Sequence, residues 1–131
     1  MHPDTLHFLS ALLAVSDVWR TRAVLTLTAI HPDGGQRTPS RHVPLDKPDV
    51  LHDALERLAE TNRRGWGAYV GIGLRRHGLT RWQRGTEYDV LALPAVFVDL
   101  DDPSVDALAR LRAMSPVPSC ITFTGGGFHA Y

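Results

Sequence analysis

Val96-Phe97-Val98-Asp99-Leu100-Asp101-Asp102-Pro103 is an apolar run that ends in three carboxylates. The four apolar residues Ala95 to Val98 predict a strand buried on both faces, and such strands carry chemistry at the end where burial stops. Side chains alternate along a strand, so Asp99 and Asp101 are expected to leave the sheet on the same side. Two neighbouring carboxylates stay ionised together when a divalent cation or a cationic group offsets their repulsion, which makes the pair a candidate metal site. The competing reading is that these acids simply begin a loop and cap the next helix.

Around this stretch, 131 residues with 44% hydrophobic content are enough for one globular domain with a core and too few for two. The formal charge is zero, so no global field draws nucleic acid or an anionic membrane, and any such partner must be held by a local patch. A single cysteine, Cys120, excludes an internal disulfide and a cysteine-based zinc site and fits a reducing cytoplasm. Leu9 to Val15 is too short to span a bilayer and follows acidic residues, so the chain is expected to be soluble, cytoplasmic and without a membrane partner. Lys47 is the only lysine among the 14 basic residues; the rest are arginine, from gene composition or from a preference for bidentate phosphate contacts.

From Pro3 to Val18 the residues Leu6, Leu9, Leu12, Leu13 and Val15 fall near helical spacing and predict a core-facing helix. Arg22 to Ile30 reads as a strand, Asp33-Gly34-Gly35 as a turn and Arg37 to Val43 as the returning strand of a hairpin. Pro48 opens a helix whose stripe of Val50, Leu51, Ala54, Leu55, Leu58 and Ala59 runs to Asn62 and stops at Gly65. Trp66 to Leu74 alternates apolar residues with Gly67, Tyr69, Gly71 and Gly73, a strand whose bare face leaves room for a backbone or a ligand. A polar stretch from Arg75 to Asp89 leads to a strand over Ala92 to Asp101. Ser104 caps a helix to Met114 with Val105, Leu108 and Leu111 inward, and Ser119 to Thr124 reads as another buried strand. The order predicts an α/β (α+β) sandwich with a mixed sheet and flanking helices.

Charge is uneven. Arg57, Arg63, Arg64, Arg75, Arg76, Arg81 and Arg84 face only Glu60, whereas Glu87, Asp89, Asp99, Asp101, Asp102 and Asp106 follow with no base among them. Arginines beside a metal-capable acidic surface suit a phosphodiester substrate, and Trp66, Tyr69 and Trp82 could stack on bases; charge blocks are also common as solvated faces. Thr124-Gly125-Gly126-Gly127 follows a strand and lets backbone N–H groups approach a phosphate, while His129 and Tyr131 share one face of the next strand. A glycine turn of this kind can equally be a structural hairpin.

Together these residues resemble the catalytic heart of archaeo-eukaryotic-type primases. The hydrophobic-Asp-x-Asp strand end at 97–101, a short helix, and Pro118-Ser119-x-Ile121-x-x-Thr124-Gly125-x-Gly127-x-His129-x-Tyr131 carry the likeness. It is nearest to RepB-like and bifunctional primase-polymerase domains of plasmids, phages and mobile elements, and it covers roughly residues 50–131. The resemblance implies an RRM-like sheet joined to a further α/β unit, with residues 1–131 as one catalytic domain. It implies metal-binding aspartates at Asp99 and Asp101, with Mg²⁺ or Mn²⁺ as cofactor, and a nucleotide-contacting, catalytic His129. Thr124, Gly125, Gly126, Gly127 and Tyr131 then join His129 in nucleotide binding, and Arg63, Arg64, Trp66, Tyr69, Arg75 and Arg76 hold nucleic acid. The implied activity is template-directed nucleotidyl transfer in DNA replication, with a DNA template, nucleoside triphosphates and a helicase or other replication protein as partners. The family's third acidic ligand lies on a later strand that this sequence does not contain, so the chain is expected to be either the N-terminal part of a longer polymerase, incomplete at its C-terminus, or a reduced relative that binds nucleotide or nucleic acid without efficient catalysis.

Two further classes stand beside this expectation. One is a non-catalytic RRM-like module that binds single-stranded nucleic acid or nucleotide through Trp66, Tyr69 and the arginines. The other takes Asp99-Leu100-Asp101 as the nucleophile motif of a haloacid-dehalogenase-like phosphatase with Thr124 as its second motif, although that family opens with this strand and needs a downstream lysine. Rolling-circle nucleases fit less, since no His-hydrophobe-His pair accompanies Tyr131.

Overall fold

The computed structural model describes residues 3–15 and 17–131. Ala23–Ile30 (β1) is buried along almost its whole length, as only a central strand can be. It lies between Ser40–Pro44 (β2) and Gly67–Arg76 (β3), antiparallel to both, and Val90–Ala92 (β4) adds to the far side of β3. The register sets Leu25 opposite Val43, and those residues with Leu27 form the inner face. Against it packs the apolar stripe of Pro48–Arg63 (α3), through Ala54 and Leu55, together with Leu9 of Pro3–Leu12 (α1). Gly65 ends α3 as expected, at φ +91°. Asp17–Arg22 (α2) is a short helix that leads into β1.

On the other face of β1, polar residues are buried: Thr26 and Thr28, with Ser40 of β2. They are paired. The hydroxyls of Thr28 and Ser40 lie 3.0 Å apart, and Thr26 Oγ1 lies 3.0 Å from His42 Nδ1. His42 Nε2 faces the carbonyls of Thr80 and Gln83 at 3.1 and 2.9 Å. Carbonyls only accept, so Nε2 carries a proton, and in the neutral ring Nδ1 accepts from Thr26. Ser40 N also donates to Arg81 O at 2.7 Å, so this network latches the 77–86 loop onto the sheet.

The rest of the chain forms a second sheet. Val98–Leu100 (β5), Val105–Arg112 (α4), Ile121–Phe123 (β6) and Phe128–Ala130 (β7) follow in order, and the strands lie β5-β7-β6 with both pairs antiparallel. Ala107 and Leu111 of α4 pack on Phe128 and Ala130. Ser104 caps α4 as the sequence predicts, its Oγ accepting from Ala107 N at 3.1 Å.

The architecture is mixed α and β, as expected, but it differs from the predicted single sandwich with a mixed sheet. There are two sheets, and each is antiparallel because β7 inserts between the parallel β5 and β6. The strand expected over 92–101 is divided, its start belonging to β4 in the first sheet and its end to β5 in the second. Pro94 lies in the crossing and has no N–H for a ladder. Nor is Ala95 to Val98 buried on both faces: Val96 is 86% and Phe97 48% exposed, because the chain is between sheets there and β5 is an edge strand. The first helix ends at Leu12 rather than Val18; the side chain of Leu6 and residue Ser16 lie outside the described positions. Val105, expected inward, is 82% exposed because it opens α4 at the rim of the second core. Phe123 is likewise exposed, since β6 is the other edge strand.

Candidate functional site

The core beneath the second sheet takes Phe128 and Ala130, so alternation turns His129 to the opposite face, away from α4. The register places Asp99 on one side of His129 and Thr122 on the other, one residue from each strand in a row. His129 Nε2 lies 3.3 Å from Asp99 Oδ1, and His129 Nδ1 lies 3.3 Å from the Tyr131 hydroxyl. Burial raises the Tyr131 phenol pKa above the ordinary value, with Thr122 opposing the shift. Its ring meets Phe8 of α1 edge-on at 5.0 Å, with Phe97 at 6.2 Å, so α1 covers this end of the row. Asp99, at 57% side-chain exposure, is the open end. The result is a carboxylate–imidazole–phenol line in which the middle ring is held from both sides and a proton can pass at either nitrogen.

The glycine triplet divides into three separate roles. A Cβ on Gly127 would sit 2.9 Å from the Leu100 carbonyl carbon and 3.0 Å from Asp101 Cα, so its bareness lets the turn approach the end of β5. Gly125 has φ +93°, a conformation that other residues adopt at a cost. Gly126 is exposed, with open space where its Cβ would be. Thr124 closes the hairpin, both its N–H and its hydroxyl donating to Gly127 O, at 3.0 and 3.2 Å.

Asp101 lies one residue past β5, exposed, with no hydrogen bond or ion pair among the described residues. Asp102 is engaged elsewhere: it accepts from Ser104 N at 2.9 Å and from Arg110 Nη2 at 3.2 Å. Ser104 and then Arg110 hold its pKa below the ordinary carboxylate value, which makes Asp102 the helix-capping acid of the three. Among the described residues, no three His, Cys, Asp or Glu side chains converge into a cage for a metal ion. Two carboxylates are the donor set Mg²⁺ uses when waters and substrate phosphates complete its shell, and Asp99 and Asp101 are the two acids here that α4 does not engage. No family model, curated protein or solved structure matches the chain.

The predicted nucleic-acid residues are not gathered at this row. Arg63 and Arg64 share Glu60 at the end of α3, and Trp66 meets His31 edge-on at 4.8 Å. Arg76 Nε donates to Asp89 at 2.7 Å. The bare face of β3 is filled from within the protein. Tyr69 folds over Gly67, Arg75 lies over Gly71 and against Gly85, and Val90 covers Gly73. Arg75 Nη1 donates to Gly73 O at 2.9 Å while its Nε has no partner, and burial lowers its pKa. Sequence reasoning passed over Thr122, Phe8 and His42. Thr122 was open to detection, since a hairpin through 124–127 sets it across from His129.

Proposed function

We propose that this chain carries a primase-polymerase type of nucleotidyl-transfer site on the exposed face of its second sheet. The observation that supports the reading best is the adjacency of Asp99 and His129 on neighbouring strands, with Asp101 free just beyond them. In this reading Asp99 and Asp101 hold Mg²⁺ or Mn²⁺, which when bound supplies charge neutralisation at phosphate and a more acidic 3′-hydroxyl. His129, held by Asp99 on one side and Tyr131 on the other, exchanges one of these two partners for a phosphate oxygen of the incoming nucleotide. The amides around Gly125 and Gly126 offer further donors, and the chain's work is positioning and neutralisation rather than covalent chemistry.

The test is primer synthesis on a single-stranded DNA template with Mg²⁺ or Mn²⁺. Asp99→Ala with Asp101→Ala should abolish it while leaving the circular dichroism spectrum intact; undiminished synthesis in the double variant would sink the reading. A second reading is favoured by the lack of a third converging acid among the described residues: a binding module without catalysis. Oligonucleotide affinity by calorimetry, with no metal-dependent nucleotide binding, would select it.

A further inference from the structure

A cavity of about 500 Å³ lies away from the Asp99 row, where the edge of β2, α3 and the 79–81 segment meet. Its floor is apolar, from Leu27, Ala29 and Leu58, Thr61 of α3 also lines it, and its mouth carries Arg41, Arg57 and Arg81. Arg41 and Arg57 both donate to the single carboxylate of Asp53, and these hydrogen bonds, Arg57's first, hold its pKa below the ordinary value. Arg81 has no acidic partner among the described residues. Two guanidinium groups therefore share one carboxylate and the third has none, and the mouth is left cationic.

The rim extends this pattern. Trp82 is half exposed, with the guanidinium carbons of Arg37 and Arg81 at 5.2 and 5.1 Å from its ring centroid. Arg37 also lacks an acidic partner among the described residues. Both guanidiniums lie over the half-exposed indole, so the ring holds two cations without a carboxylate partner at the rim, where they can meet phosphate. The His42 latch fixes the segment that carries it. A lone phosphate would need one such cation; cations spread from Arg37 through Arg81 to Arg57 suit a chain of phosphates with a flat, weakly polar body at intervals.

We propose that this cavity and its Arg37–Trp82–Arg81 rim bind single-stranded nucleic acid, one base entering the cavity while the arginines track the backbone. The site is separate from the Asp99 row and stands whether or not that row is catalytic.

The test is fluorescence anisotropy of the full chain with a labelled oligothymidine in EDTA. With about three phosphate contacts, affinity should fall roughly 20-fold between 50 and 200 mM salt. Arg37→Gln with Arg81→Gln should weaken binding at least tenfold and flatten that salt dependence. Trp82→Ala and the cavity-filling Thr61→Phe should each weaken binding about tenfold with the salt slope kept, and Asp99→Ala with Asp101→Ala should leave it unchanged. All four variants are read beside their circular dichroism. Wild-type affinity in the arginine double variant overturns the proposal. So does tripolyphosphate displacing the oligonucleotide equally well from wild type and Trp82→Ala, which would make the site a simple polyanion patch. Loss of binding in the aspartate variant, with the arginine variant unaffected, would assign the nucleic acid to the Asp99 row instead.

Discussion

Replacing the three glycines one at a time with alanine tests the geometry on which the site depends. At Gly126 a Cβ meets nothing within 4 Å and φ is not positive, so alanine only stiffens the unfolded chain and should stabilise by about 0.4–1 kcal/mol. At Gly125 the space is open but φ is +93°, so alanine should cost about 1–2 kcal/mol in backbone strain. At Gly127 the added methyl meets the Leu100 carbonyl and Asp101 Cα, which are backbone and cannot swing aside. Overpacking of this kind costs about 1–3 kcal/mol, here toward the upper end. The gap between Gly126→Ala and Gly127→Ala should thus be about 2–4 kcal/mol, or roughly 10 °C in Tm for a chain of this size. Urea unfolding followed by circular dichroism measures it. If Gly127→Ala proves as stable as Gly126→Ala, the turn does not lie against the end of β5, and the Asp99–His129 adjacency built on that contact fails with it.

His42→Ala removes the donor to Thr80 O and Gln83 O and leaves the buried Thr26 hydroxyl without its partner; it should cost about 1–3 kcal/mol. Hydrogen exchange at the Ser40 amide, which donates to Arg81 O, should accelerate with it, and an unchanged rate would refute the latch. Asp89 is held below the ordinary carboxylate pKa of 3.8, first by the Thr86 amide and then by Arg76 and the Thr86 hydroxyl, against the opposing effect of burial. A lowered folded value means that its stabilisation is complete above 3.8 and is lost as pH falls through the folded value. Asp89→Asn should therefore lower the urea midpoint at neutral pH, with the gap to wild type closing only in acid below that point; a gap that persists there would refute the assignment.

The first sheet and α3 were legible because their residues obey one period each over a long run: β1 as apolar and β-branched residues, α3 as a stripe ended by Gly65. The crossing from β4 to β5 was not, because apolar residues continue on both sides of Pro94 and hide the change of sheet. The run looks like one buried strand in composition, yet each end pairs with a different partner. The filled face of β3 was hidden for a related reason. Tyr69 and Arg75 lie two and four residues from the glycines they cover, on the same strand, so the vacancy and its occupant are both local, and a glycine pattern alone reads as open space. At the site, Asp99 and His129 were legible from their motifs, whereas the hold of Phe8 on Tyr131 joins the two ends of the chain and leaves no local signal.

The three carboxylates that end β5 raise an electrostatic question, and the structure answers it unequally for each. Asp102 turns back to the Ser104 amide and Arg110 and serves α4. Asp99 has His129 beside one oxygen, a group that can carry positive charge and offset the repulsion between Asp99 and its neighbours. Asp101 has no partner among the described residues. The chain thus needs no metal ion to tolerate these acids, so a cation here would answer to a ligand rather than to folding. The second oxygen of Asp99 and both oxygens of Asp101 carry no hydrogen bond or ion pair from the described residues, and the imidazole stands at the boundary between the committed oxygen and the free ones. Under the proposed function, that asymmetry suits a cation that would arrive with a phosphate rather than one that is stored. It also gives Asp101, the residue with the least structural work, the most specific functional role in the proposed reaction.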